Sequence, residues 1–424
     1  MIRNAIAISF AFIGIVVGAG FASGQEAMQY FVAFGTQGIW GALLSSALML
    51  VGGISILQLG SYFQATEHME VLGNITGKVM GWVLDISTII TLFSIGFIMF
   101  AGAGANLNQQ FGIPVWIGAV IMLAMVLGVG MLDVNKVTSA IGILTPFLLI
   151  FVIGGCTWTI VNAQPDWDSI NIAAQDVATE LPNWWIAALN YTGLNFICVV
   201  SMAVVIGGNY LDPRETGLGG LFGGIAYLAM LLLLGMGLMV SISDVNGHDM
   251  PMLTLINNIN PTLGLIMTFV IFGMIFATSL GMFYALGKRL ARGRQQKFRV
   301  IYISACLIGF VLSFVGFKDL ISFVYPILGY LGLVLIVVVT SARIRGSETL
   351  RHEGSLRRRA LELMKDKLDP RVKFTRHDQR ELDKITEKSV MENKDFKEAM
   401  IEEAEQALEA EEVLETEEAE SQAK

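Results

Sequence analysis

The sequence predicts an all-α polytopic membrane protein: ten transmembrane helices in a five-plus-five inverted repeat, with helices 1 and 6 broken near the middle of the bilayer. Three observations carry this. Of the 424 residues, 54% are hydrophobic and only 15% charged, and the mean hydropathy is +0.63; a soluble chain carries about 25% charge, and charge inside hydrocarbon is costly. The charge is also unevenly placed. Residues 345–424 hold 16 Lys/Arg and 22 Asp/Glu, whereas the preceding 344 hold 12 and 14. Finally, ten apolar runs each approach the ~20 residues that a spanning helix needs.

The runs fall at 5–33, 38–63, 80–108, 114–132, 137–162, 184–208, 218–243, 262–287, 298–316 and 319–343. The chain therefore divides into a membrane domain, 1–344, and a charged C-terminal tail, 345–424. The first run follows Met1-Ile-Arg3 without an A-x-A cleavage site and reads as a retained helix. Cys156, Cys198 and Cys306 lie far apart inside apolar runs and read as small packing groups, with no CxxC pair or disulfide framework.

Orientation follows the basic residues. With the N-terminus in the cytoplasm, the inside loops carry Lys78, Lys136, Arg214 and the cluster Lys288, Arg289, Arg292, Arg294, Lys297 and Arg299. The outside loops carry Lys318 alone, and the longest, 163–183, is acidic. An even span count returns the tail to the cytoplasm, so both termini are expected inside a cell membrane. The tail starts basic at Arg357–Arg359 and ends acidic. Its later part, rich in Ala, Glu and Leu, suits helix, while the high charge equally suits a solvated or partly disordered tail; it reads as a cytoplasmic appendage or, alternatively, as a regulatory or partner-binding segment. Division at 163–183 leaves five spans on each side, and two halves with odd span numbers insert in opposite senses, as in inverted-repeat transporters.

The first span contains Gly14-Ile-Val-Val-Gly18-Ala19-Gly20-Phe-Ala-Ser23-Gly24-Gln25-Glu26. Each glycine lowers helix propensity by roughly 1 kcal/mol, and three of them with Ser23 fall within seven residues. A break here exposes backbone amides, suited to a carboxylate, and carbonyls, suited to a cation. Lipid tolerates neither unless they line a cavity. Close packing through small residues is the competing explanation. Span 6 holds Asn190-Tyr191-Thr192-Gly193-Leu-Asn195 at the matching place in the second half. An interruption is expected there too, against the alternative that these groups hydrogen-bond between intact helices. Asn190-Tyr-Thr192 and Asn74-Ile-Thr76 match the glycosylation pattern, but by chance, given their places in the membrane and on the inside.

On these residues, spans 1–10 resemble the amino acid–polyamine–organocation superfamily with the LeuT-type fold. The start Ala-Phe-Ile-Gly-Ile-Val-Val-Gly-Ala-Gly-Phe-Ala-Ser-Gly-Gln-Glu resembles, more narrowly, the YkvI-like family of amino-acid permeases. The resemblance covers roughly 1–344 and implies architecture and broad class, not a substrate. It also implies a sodium site, in which carbonyls of Gly14 and Val17 before the break meet the carbonyl of Ile275 and the hydroxyls of Thr278 and Ser279 in span 8. The hydroxyls can instead back-bond to their own helix. Some proton-coupled relatives carry a lysine midway along helix 5; Lys136 stands only at the cytoplasmic start of span 5, which argues against that substitute.

Two further acids lie near the membrane. Glu26 is six residues past Gly20, and an intramembrane acid is a functional candidate by default. It would carry a coupled proton, attract a cationic group, or hold the broken helix by hydrogen bonds. Asp85 is expected at the solvated inner interface. An enzyme is disfavoured: His68, His248, His352 and His377 lie in loops or the tail, and HExxH, GxSxG and clustered metal ligands are absent. A channel is disfavoured because no repeated filter motif is visible. The expected function is secondary active transport of a small solute, with lipid and solute as partners, no nucleic acid, and sodium as the only implied ion. The facing amides and helix-6 polar groups suit an amino-acid zwitterion; an organic cation or amine with Glu26 as counter-charge, coupled to protons, is the second reading. The solute-site candidates are Gly18, Ala19, Gly20, Ser23, Gly24, Glu26, Asn190, Tyr191, Thr192, Gly193 and Asn195.

Overall fold

The computed structural model describes residues 2–131, 144–291, 294–391 and 393–422. Lys136, Arg292 and residues 137–143 of span 5 lie outside them. Among the described residues, eight helices are long and apolar enough to cross a membrane, and two shorter apolar helices, Ile2–Val16 and Val115–Gly130, accompany them. In chain order the bundle comprises α1 (Ile2–Val16), α2 (Ala19–Ser23), α3 (Gln25–Tyr30), α4 (Gln37–Phe63), α5 (His68–Ile75), α6 (Lys78–Phe111), α7 (Val115–Gly130), α8 (Leu144–Asn162), α9 (Trp167–Ala174), α10 (Trp184–Gly208), α11 (Pro213–Val240), α12 (Ile242–Val245), α13 (Pro251–Ile259), α14 (Pro261–Ala291), α15 (Gln295–Leu312) and α16 (Phe317–Arg345). Its outer faces are apolar: Phe10, Trp82, Ile150, Phe269, Val311 and Phe323 are all exposed. That is what lipid contact requires of a multi-pass membrane protein.

Helix α10 is the centre of the bundle, packed between α4 and α16. Glycine makes this possible. A Cβ on Gly193 would overlap the Gly329 carbonyl of α16, and one on Gly332 the carbonyl of Gly193. Small residues that let helix backbones touch are the usual device of intramembrane packing.

The expected interruption of span 6 is not found. Helix α10 runs unbroken from Trp184 to Gly208. Its polar residues are satisfied as side chains, so the backbone has no reason to open. Asn190 Nδ2 donates to the Pro326 carbonyl (2.7 Å) and its Oδ1 accepts from Tyr30 (3.1 Å). Thr192 donates to the Ala188 carbonyl one turn back (2.7 Å) and lies 3.0 Å from the Ser45 hydroxyl. Asn195 donates to the Tyr191 carbonyl (3.1 Å).

The C-terminal segment takes the helical alternative. It forms α17 (Ser347–Leu368), α18 (Arg376–Lys388) and α19 (Asn393–Gln422). Apolar residues recur at helical spacing and share one cluster: Ala360, Leu363 and Met364 with Leu382, Ile385, Phe396, Met400 and Ala404. Thr375 opens α18 with a capping box, its side chain accepting from the Asp378 amide while Asp378 accepts from the Thr375 amide. High charge masked this amphipathic pattern.

Candidate functional site

The first span is interrupted twice. Helix α1 stops at Val16; Gly18 is extended (φ −97°, ψ −166°) and α2 begins at Ala19. Gly24 then takes a left-handed conformation (φ 78°) between α2 and α3, a place that favours glycine. Ser23 stabilises the bend, donating to the Gly20 carbonyl (2.8 Å) and accepting from the Gln25 amide (3.2 Å). Gly18, Ala19, Gly20, Ser23, Gly24 and Glu26 thus form one compact loop-and-turn, and α1 ends at Val16, just before it.

Glu26 sits in the first turn of α3 and is 8% exposed. Its carboxyl folds back onto Gly20 so closely that a Cβ on Gly20 would overlap it. The hydroxyls of Tyr191, from α10, and Tyr325, from α16, face this carboxyl. Tyr30 tilts against Tyr191 with ring centroids 5.0 Å apart, and Phe31 meets the same ring edge-on at 5.0 Å. Tyr227 of α11 is buried, and its hydroxyl has no hydrogen-bond partner among the described residues. No Lys, Arg or His is paired with Glu26 among the described residues. A lone buried carboxyl under aromatic rings and hydroxyls attracts a cation, through charge and through ring faces.

The candidates from α10 divide. Asn190 and Tyr191 face the interrupted helix, through Tyr30 and Glu26 respectively. Thr192 points to α4 and Gly193 to α16, so both serve packing. Asn195 supports the Tyr191 carbonyl within its own helix. Sequence reasoning missed Tyr30, Tyr227 and Tyr325. Single tyrosines inside apolar runs were the only signal for them, and three separate helices bring them together.

The implied sodium ligands lie on α1 and α14, with Val17 just past the end of α1. Helix α14 packs against α2, with Ile275 fully buried. The Ser279 hydroxyl, however, donates to the Gly96 carbonyl of α6 (3.3 Å) in this conformation. Asp85 departs from expectation. It is buried rather than solvated and is paired with Arg289 at the end of α14, Nε to Oδ1 2.7 Å with Nη2 also in contact. Burial of one member requires the other, because an unpaired charge there is costly. Near this pair His68 opens α5, with Nδ1 3.1 Å from the Ser201 hydroxyl. Burial, aided by the Arg289 charge and opposed by Asp85, pushes the His68 pKa down to about 4.

No family model matches the chain. The membrane protein YkvI of Bacillus subtilis, itself uncharacterised, is 26% identical over 333 residues, covering 78% of this chain and 94% of that protein. The uncharacterised protein YyaD of the same organism is 26% identical over 326 residues, covering 77% and 93%. Among solved structures, MhsT in complex with L-phenylalanine matches with a TM-score of 0.57 at 14% identity, covering 80% of this chain and 88% of that one. That likeness is one of fold, the LeuT type.

Proposed function

We propose that this chain is a secondary active transporter that carries a small amine-bearing solute, in first place an amino acid, with the interrupted first span as its site. The observation that carries the reading is the buried Glu26 carboxyl, without a cationic partner among the described residues, held over Gly20 at a helix break and faced by tyrosines from two other helices. Polar groups at such a break are tolerated in a membrane when they serve a bound species. The MhsT structure, of the same fold, is a complex with L-phenylalanine; the inference from it to this chain is one of fold analogy. Ten spans with both termini in the cytoplasm, and a five-plus-five repeat, complete the reading.

Within it, the solute amine meets Glu26 and the ring faces of Tyr30 and Tyr191. The amides after Gly18 are left for a carboxylate. Sodium is the proposed coupling ion, held by Gly14, Val17, Ile275, Thr278 and Ser279, which requires the Ser279 hydroxyl to turn from Gly96 towards the break. A second reading has its own support: Glu26 already supplies a carboxyl against Gly20, where a zwitterion would place its own. That favours an organic cation or amine lacking a carboxylate, exchanged for a proton on Glu26.

Thermal stabilisation of the purified protein by a panel of amino acids and of simple amines, each with and without sodium, tests both. Stabilisation by amino acids that grows with sodium supports the first reading. Stabilisation by amines alone, indifferent to sodium, supports the second. No response from either class counts against the site.

A further inference from the structure

We infer that the C-terminal helical domain is a clasp that holds one face of the bundle closed and must release for that face to open. The inference rests on the transport reading, because only a protein that opens to alternate faces needs such a device.

The domain hangs on α16. That helix ends at Arg345, and α17 begins at Ser347 after the single residue Gly346. From α17, Arg357 reaches into the bundle and is 1% exposed. Its Nη1 donates to the carbonyls of Ser61 (2.8 Å) and Leu211 (3.1 Å), its Nη2 to that of Tyr62 (2.8 Å), and its Nε to Glu353 (2.8 Å). Ser61 and Tyr62 belong to the last turn of α4, at the negative end of the helix dipole; the Ser61 carbonyl also accepts from the Gln64 side chain (2.7 Å). Leu211 lies in the link between α10 and α11, and its side chain is part of the apolar cluster of the C-terminal domain. Arg358 adds a pair with Asp212 (3.0 Å), the N-cap of α11.

One rigid attachment to α16 therefore grips the ends of α4 and of the α10–α11 link. The start of α1 lies on the same face, with Asn4 donating to Glu215 of α11 (2.9 Å). Moving α4 and α11 away from α16 on this face strips a buried guanidinium of three acceptors and pulls Leu211 from its cluster. A buried charge that loses its partners is strongly disfavoured. The grip also depends on the domain being folded, since Glu353, the counter-charge of Arg357, accepts from the Val390 amide beyond α18 (3.3 Å). Alternating access requires the buried site around Glu26 to open to this face in part of the cycle. Undocking of α17 is then a step of that opening, and whatever stabilises the undocked domain accelerates it.

The test uses the full chain in lipid nanodiscs, with the native cysteines replaced and spin labels at Thr66→Cys, just past α4, and Arg345→Cys, at the end of α16. The parent is expected to give one narrow distance distribution. Arg357→Ala is expected to add a longer-distance population and, in proteoliposomes, to raise several-fold the initial uptake rate of the amino acid or amine that stabilises the parent most. Leu211→Ala, which takes the side chain out of the cluster and leaves the carbonyl that Arg357 meets, should do the same, and Arg357→Lys should fall between. A domain that only stabilises the chain would lower the melting temperature of all three variants and leave the distances as in the parent; that result overturns the clasp. Longer distances with no uptake by any variant, parent included, would retain the clasp and remove the transport reading.

Discussion

Gly20→Ala tests the contact on which the site depends. The substitution adds one methyl group, and that methyl falls on the Glu26 carboxyl. The glycine lies in helical backbone, not the left-handed region, so alanine fits it and gains up to about 1 kcal/mol of helix propensity. The fold is therefore expected to survive while the carboxyl is pushed from its place between Tyr191 and Tyr325. Hydrogen bonds to charged groups are worth about 1.5–3 kcal/mol each. Losing one or part of two weakens binding by roughly 2–4 kcal/mol, or roughly 30- to 700-fold in Kd. The assay is titration calorimetry on purified parent and variant, with the amino acid or amine that stabilises the parent most. Gly128→Ala is the control, because a Cβ there meets nothing within 4 Å; its affinity should match the parent. Gly20→Ala binding as tightly as Gly128→Ala would refute the placement of solute against Glu26 and reduce the helix break to a packing device.

Four other outcomes follow from the same geometry. Glu26→Gln should weaken binding of any amine-bearing solute by about the same amount while keeping the chain folded, measured by the same titration. Thr278→Ala with Ser279→Ala should abolish sodium stimulation of uptake; unmodified protein already indifferent to sodium would move the coupling role to a proton. Stability should decline as pH falls from 6.5 towards 4, because His68 binds its proton more weakly folded than unfolded. The full effect is about 3 kcal/mol, and His68→Gln should flatten that part of a melting-temperature profile. Single cysteines at the exposed Ser169 and Ser355 should differ in intact cells, with an impermeant reagent labelling Ser169→Cys only; the opposite pattern reverses the orientation.

The membrane class and the places of the helices were legible because apolar run length is a one-dimensional signal. The break in the first span was legible too, since glycines at 18, 20 and 24 weaken the helix wherever the rest of the chain lies. The misreading of α10 has a definite cause. Asn190, Tyr191, Thr192 and Asn195 show only that polar groups must be satisfied, not whether the partner is the helix's own opened backbone or a neighbour such as Pro326 or Ser45. Tyr30, Tyr227 and Tyr325 were invisible for the converse reason: each is ordinary locally and becomes informative only when three helices bring it to Glu26. Helix in the C-terminal segment was legible as one of two alternatives; its shared apolar cluster was not, because the apolar residues are few and spread over three helices.

Uptake into proteoliposomes addresses the central claim most directly. A radiolabelled amino acid or amine, chosen from the stabilisation panel, is offered outside vesicles under an imposed sodium or proton gradient. Saturable accumulation above the external concentration is expected, abolished when the gradient is collapsed and lost in Glu26→Gln. Entry that only equilibrates with the outside and never saturates, unchanged in Glu26→Gln, would contradict it.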